Sequence, residues 1–293
     1  MDKKDYRLKG HESFVIREGW LTKGMKAVHD DSKVFSINSG ADALGVGTNM
    51  AKSIRYWMRV ANLTKENVKE GVVLTELGKT IFENDPYLED IFSLWVIHTN
   101  IVRNFKLATS WNVFFNLIDV TTFKRDELFT MMRDDIIMLT GDTKLPERSI
   151  KDDCAAIIQM YSDSKDSSPD PEDKKRSPFA TLGLLREIDN NLYEKCQPAI
   201  DQIDPLVILY MIGDTLQEEK AIPIDNIANA ENMPGKVLNL NRVAINDYLD
   251  RLQNKGYIIV NRTAGLDVIY PDRNLAGLSV LKDHYKGAGT YET

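Results

Sequence analysis

Apolar residues recur at helical spacing through one early stretch of the chain. Met50, Ile54, Trp57, Met58 and Ala61 fall on one stripe of a helix. Gly45 and Gly47 can bend the chain before it, and Thr48 or Asn49 can cap it. The opposite face carries Asn49, Lys52, Arg55, Tyr56 and Arg59, with no acid between Asn49 and Arg59. Lys52, Tyr56 and Arg59 share a face, because residues three and four apart are neighbours on a helix. Downstream, Val72-Val73-Leu74 reads as a strand, and Leu74-Thr75-Glu76-Leu77-Gly78 as its exit into another helix. Upstream, residues 18–30 predict a helix with Trp20, Leu21, Met25 and Val28 on its apolar side. A cationic helix, a polar connection and a β-like run are the order that a winged helix uses to read nucleic acid.

The pattern then changes. Residues 83–160 read as almost wholly helical: an apolar segment at 88–105, aromatics at 111–117, a helix at 123–139 capped by Thr121 or Thr122, and another at 147–161. Segments this rich in large apolar side chains predict a buried scaffold. Residues 162–178 combine prolines, serines and dense charge, the composition of a linker. Residues 179–203 leave open a helix or a short hairpin near Leu192-Tyr193. From Asp204 a second module begins. Asp204 caps a helix with Pro205 in its first position. A short helix at 223–228 and a third at 241–254 follow, the last with Ile245, Tyr248, Leu249 and Leu252 on one face. Lys255-Gly256 ends it, and residues 257–260 and 266–270 form a hairpin around a turn at 261–265. Arg262 would sit at the tip of that wing. Acids share the surface of the third helix (Asp247, Asp250), so protein contact or dimerisation competes with DNA contact here.

The expected fold is therefore mainly α with small β hairpins. It has a basic winged-helix-like module (1–82), a central helical block (83–161), a linker (162–178) and a C-terminal winged helix (179–293). The overall charge of −7 argues against nucleic acid, but its distribution does not. Residues 1–82 hold 14 Lys/Arg against 10 Asp/Glu, a surplus of +4, which leaves −11 for the remainder. No apolar run reaches membrane-spanning length. The first ten residues are too charged for a secretion signal, and two cysteines, Cys154 and Cys196, make neither a disulfide framework nor a metal motif. A cytoplasmic protein fits.

Candidate chemistry is sparse. Gly45-Val46-Gly47 lacks the rest of a phosphate-binding loop. The four histidines include no close pair that would suggest zinc. Asp85, Glu89 and Asp90 cluster in NDPYLED, with His98 eight residues beyond Asp90. Asp85 and Glu89 at helical spacing could hold Mg²⁺ or Mn²⁺ through oxygen ligands, with Asp90 and His98 completing a catalytic set. The plainer alternative is a helix start dressed with acids to suit its dipole, and His98 as a core residue. His11, Glu12 and Arg17 form a second, equally ambiguous cluster. The cysteines read as apolar fillers.

The strings GHESFVIREGWLTKG, LGVGTNMAKSIRYW, LTELGKTIFENDPYLEDIFSLWVIH and SWNVFFN resemble a bacterial family encoded in DNA phosphorothioation operons, the SspB-type subunits. The resemblance covers most of the chain and is densest over residues 11–116. It implies double-stranded DNA as a partner, together with a cysteine desulfurase, an ATPase and an ATP-pyrophosphatase-type sulfur-inserting enzyme. It also implies a role in anti-phage defence, with DNA binding and nicking to open a strand for modification. It supplies no residue-by-residue catalytic set. Two other readings compete. One is a regulator of its own operon, binding a palindrome as a homodimer. The other is a non-enzymatic adaptor that docks sulfur-transfer partners through its acidic body.

Overall fold

The structure, a computed structural model, describes residues 5–162, 177–263, 267–272 and 276–288. The chain forms two compact units, Met1–Cys196 and Gln197–Thr293.

The first unit opens with α1 (Trp20–Asp30), α2 (Ala41–Leu44) and α3 (Thr48–Val60). An antiparallel hairpin follows, β1 (Thr64–Asn67) with β2 (Gly71–Leu74), in the register Thr64↔Leu74. The Val72 N–H donates to the Ser32 carbonyl at 2.8 Å, so the segment after α1 meets β2 from its other side. Then comes α4 (Glu76–Asn84), capped by the Thr75 hydroxyl, which accepts from Gly78 N–H. Gly78 lies so close to the Leu63 carbonyl that a Cβ there would come within 2.0 Å of its oxygen. That contact locks α4 to the end of the α3–β1 connection.

The helical block expected from composition is α5 (Ile91–Arg103), α6 (Thr109–Asn116), α7 (Arg125–Thr140) and α8 (Glu147–Tyr161). Trp95, Trp111, Phe114 and Tyr161 lie essentially out of contact with water. The helix expected from residue 123 begins later. Residues 122–124 are instead β3 (Thr122–Lys124), in a sheet with β4 (Leu185–Asp189) and β5 (Leu192–Lys195), ordered β3-β5-β4. Phe123 pairs with Tyr193 across the sheet and stacks on it at 6.0 Å. This partner sits 70 residues downstream and overrides the local helical pattern. The ambiguous segment near Leu192 is thus a hairpin, and it belongs to the first unit. The division between units therefore falls after Cys196 rather than at the linker of 162–178, most of which lies outside the described residues.

The second unit runs α9 (Pro205–Glu219), β6 (Ile222–Pro223), α10 (Ile224–Asn229), α11 (Pro234–Val237), α12 (Arg242–Asn254), β7 (Ile258–Asn261), β8 (Val268–Pro271) and α13 (Gly277–Ala288). Asp204 and Asn241 cap α9 and α12 through their side chains. The sheet order is β6-β8-β7, an element order compatible with the expected winged helix. Sequence patterning missed β6, α11 and α13. The first two are too short to show a period. Helix α13 packs against α9 with Val280 and Leu281 buried.

Candidate nucleic-acid interface

Helix α3 buries more of its circumference than its stripe predicts. Ile54, Trp57, Met58 and Ala61 are buried, as the periodicity requires, and Met50 is half-buried, but Ala51, Ser53, Tyr56 and Val60 are buried as well. Ser53 Oγ and Trp57 Nε1 both donate to the Phe14 carbonyl, at 3.2 and 3.0 Å. Gly47, with no side chain to offer, occupies the cap position expected of Thr48 or Asn49. What remains in water is a narrow line: Asn49, Lys52, half of Arg55, and Arg59.

The five expected DNA contacts on this helix separate accordingly. Tyr56 is 7% exposed, its hydroxyl donates to the Leu107 carbonyl at 2.7 Å, and the Arg7 guanidinium covers its ring at 5.1 Å. Burial, reinforced by the Asp153 charge, holds its hydroxyl pKa far above the ordinary value. Tyr56 is therefore a buried wall in this structure, a correction to the expectation that it offers an open face to a base. Arg55 forks onto Glu66 of β1, with Nη2 at 2.8 and 2.9 Å from the two carboxylate oxygens and Nε at 3.1 Å. The helix lacks acids, but the neighbouring strand supplies one. The pair remains about 40% exposed on each side. Lys52 and Arg59 make no ion pair among the described residues, and Asn49 stands at the exposed start of the helix.

Helix α12 is balanced differently. Arg242 bonds Asp225 at 2.8 Å and also reaches Asp267, while Arg251 bonds Asp247 at 2.7 Å and Asp201 at 3.3 Å. Arg262, expected to be free at the wing tip, folds back onto α12 and bonds Asp250 at 2.7 Å and Asn246 at 3.0 Å. Val243 and Ile259 are 75% and 50% exposed nearby in the chain's second module.

The acidic cluster is put to other uses. Asp85 is buried, and its carboxylate accepts from Glu89 N–H (2.9 Å), Asp90 N–H (3.2 Å) and Ser93 Oγ (2.5 Å). It pins the turn that launches α5. Asp90 caps α5 by accepting from Phe92 N–H at 2.9 Å. His98 is buried among Trp95, Phe115 and Tyr161, with Nδ1 2.8 Å from the Tyr161 hydroxyl. Glu89 is exposed and lines an open cavity of about 700 Å³ with Arg17 and Tyr87. The expectation that these four converge is thus corrected: two order a turn and a helix start, one is core, and one faces a cavity. His11 also belongs to the interior. Its Nε2 lies 2.9 Å from Asp153 Oδ1, and Ser110 Oγ donates to the other oxygen at 2.6 Å.

Residues 8–285 match a family described as "Protein of unknown function (DUF4007)". The chain belongs to this family. No curated protein matches. Among solved structures, a magnesium ion-bound SspB crystal structure has a TM-score of 0.85 at 23% identity, covering 95% of this chain and 88% of that one. An SspB crystal structure gives the same score and identity, covering 97% and 89%. The fold of this DUF4007 member is SspB-like, in agreement with the resemblance read from its sequence.

The magnesium bound in that neighbour prompts a test of the residues present here. Asp85 does not suit a divalent cation, since backbone N–H groups and a serine hydroxyl already donate to both its oxygens. Among the described residues, no three His, Cys, Asp or Glu side chains come together as a metal site. The thiols suit a structural role: burial, then the Asp153 charge, pushes Cys154 up to about 12, and burial also raises Cys196. No helix among the described residues is long and apolar enough to cross a membrane.

Proposed function

We propose that this DUF4007 protein is the DNA-binding subunit of a phosphorothioation defence system, gripping duplex DNA through the outward line of α3. One observation carries the reading: Lys52 and Arg59 stand exposed on one helix face with no carboxylate partner among the described residues, in a chain whose total charge is −7. An acidic protein that leaves two cations on one helix face without a partner among its described residues supplies a local field for a polyanion. Contacts from Lys and Arg to phosphates dominate such affinity and make it steeply salt-dependent. Arg55 adds a reserve cation held by Glu66. The resemblance to SspB-type subunits supports DNA as the polyanion. It also makes the desulfurase, ATPase and sulfur-inserting enzyme the partners. Strand nicking rests on the resemblance alone, since Asp85, Asp90 and His98 are committed to the fold.

The test is a gel shift with a short duplex at moderate salt. The variant Lys52→Ala/Arg59→Ala should lose retention while keeping its helical circular dichroism; unchanged affinity would defeat the reading. A second role is favoured for the C-terminal unit. Its outward arginines are matched and Val243 is bare, so we assign that surface to protein contact, the adaptor role, rather than to DNA.

A further inference from the structure

We propose that Arg7 is a third phosphate contact, brought by the segment before α1 and held over Tyr56 on the flank of the helix that carries Lys52 and Arg59. The inference rests on the reading of α3 as a DNA-facing helix and adds a residue that the helix pattern could not reveal.

Residues 5–11 are stitched down along their length. The Tyr6 hydroxyl donates to Asp142 at 2.8 Å, Arg7 N–H to Thr109 Oγ1 at 2.9 Å, and Lys9 N–H to Asp153 at 2.9 Å. The neighbouring charges are spent on partners: Asp5 takes Lys106 at 2.8 Å, and Lys9 takes Asp152 at 2.5 Å. Arg7 is the exception. It is exposed, makes no ion pair among the described residues, and lies with its guanidinium 5.1 Å from the Tyr56 ring centre.

Gly10 makes this placement sterically feasible. A Cβ at Gly10 would come within 2.2 Å of the Tyr56 ring and 2.8 Å of Arg7 Nε. The missing side chain leaves room for the stack. Tyr56 itself cannot swing away, because its hydroxyl is anchored on Leu107. Lys52 and Arg59 lie one helical turn before and after Tyr56, about 10 Å apart along the axis. Arg7 therefore flanks the same helix and adds a third cation without an acid partner among the described residues. Cations spread over two helical turns fit an extended polyanion such as a DNA strand better than a single compact anion. A guanidinium already stacked on an aromatic loses little freedom on binding, and it stays charged at every working pH.

The test uses the full chain, a fluorescent duplex and a salt series read by anisotropy. Arg7→Ala should weaken binding several-fold and make the slope of log K against log salt shallower by about 0.9, the value of one lost phosphate contact. Arg7→Gln keeps a packing arm over Tyr56 without the charge, and should change the slope equally even if Arg7→Ala folds poorly. Arg7→Lys should restore the slope. A merely structural arginine would shift the melting temperature and leave the slope at the wild-type value in Arg7→Gln, which would overturn the assignment. If Lys52→Ala/Arg59→Ala meanwhile lowers the slope, only the Arg7 inference falls. If that variant also keeps the wild-type slope, the reading of α3 falls with it.

Discussion

Two helix–hairpin modules in this chain share a backbone plan and differ in how their charges are matched. Helices α3 and α12 each have 13 residues, and each reaches its first strand through three residues. The second linking residue is left-handed in both: Asn62 at φ 58° and Gly256 at φ 68°. The bond closing the turn is equivalent too, Leu63 N–H to the Met58 carbonyl at 2.9 Å and Tyr257 N–H to Leu252 at 3.0 Å. Arginine–carboxylate bridges tie helix to hairpin in both modules, and the second has two: Arg242 of α12 reaches Asp267 at the start of β8, besides the bridge from Arg262. Arg55 of α3 reaches Glu66 of the strand, whereas Arg262 beyond the strand reaches Asp250 of α12. After those bridges, Lys52 and Arg59 of α3 still have no acid partner among the described residues. Each arginine of α12 has an acid. A shared backbone plan therefore says little about what each module binds. The matching of charge is where the two modules differ.

The comparison breaks most directly through charge removal. Lys52→Ala/Arg59→Ala should flatten the salt dependence of DNA binding by about two contacts' worth and weaken it at least about tenfold. Arg242→Ala/Arg251→Ala should leave both quantities near wild type. If the second pair weakens binding as much as the first, the two modules are not distinguished by their charge matching.

Releasing the bridges sharpens the contrast. Glu66→Gln frees Arg55 beside two unmatched cations, so duplex affinity should rise several-fold. Asp250→Asn frees Arg262 on an otherwise matched surface and should change affinity little. Equal responses, measured by anisotropy at one salt concentration, would mean that the bridges are incidental.

The link residues give a smaller effect, on stability. Gly256→Ala forces a side chain into the left-handed region and should cost about 1–2 kcal/mol in denaturant melts. Asn62→Gly should be neutral to slightly stabilising, since asparagine already tolerates that conformation better than most residues. Matching losses in both modules would show that the two turns are under the same constraint.

The smallest effect concerns the second unit in acid. Burial pulls the Asp204 carboxyl upward, but bonds from His284 and from Leu206 N–H outweigh it, and the net pKa lies below the ordinary 3.8. A depressed carboxylate contributes stability above that ordinary value and loses it as pH falls through the lower one. Wild type should therefore lose melting temperature on acidification below about pH 4 more steeply than Asp204→Asn. Parallel curves would remove Asp204 from the account.

Much of the fold was legible, for reasons visible at particular residues. The spacing of Ile54, Trp57 and Met58 announced α3, and Asp204-Pro205 and Asn241 announced the starts of α9 and α12, because capping and periodicity are local. Phe123 was misread because its strand partner, Tyr193, lies far along the chain. The candidate site was half legible. The exposure of Lys52 and Arg59 followed from the pattern. Tyr56 was placed on the wrong side, because the helix is covered by the loop at Leu107 and by the segment carrying Arg7. The NDPYLED carboxylates looked like ligands, yet Asp85 and Asp90 accept from backbone N–H groups of their own turn.

By itself the sequence determined where helices such as α3, α9 and α12 run, the apolar stripe at the heart of α3 and α12, and that the early third of the chain is richer in cations than the rest. Only the tertiary structure decided which of those cations still seek an anion. Backbone preferences act between residues a few positions apart. A charge is neutralised by whatever folding brings within about 4 Å, whether Glu66 for Arg55 across a hairpin or Asp152 for Lys9 from a distant helix.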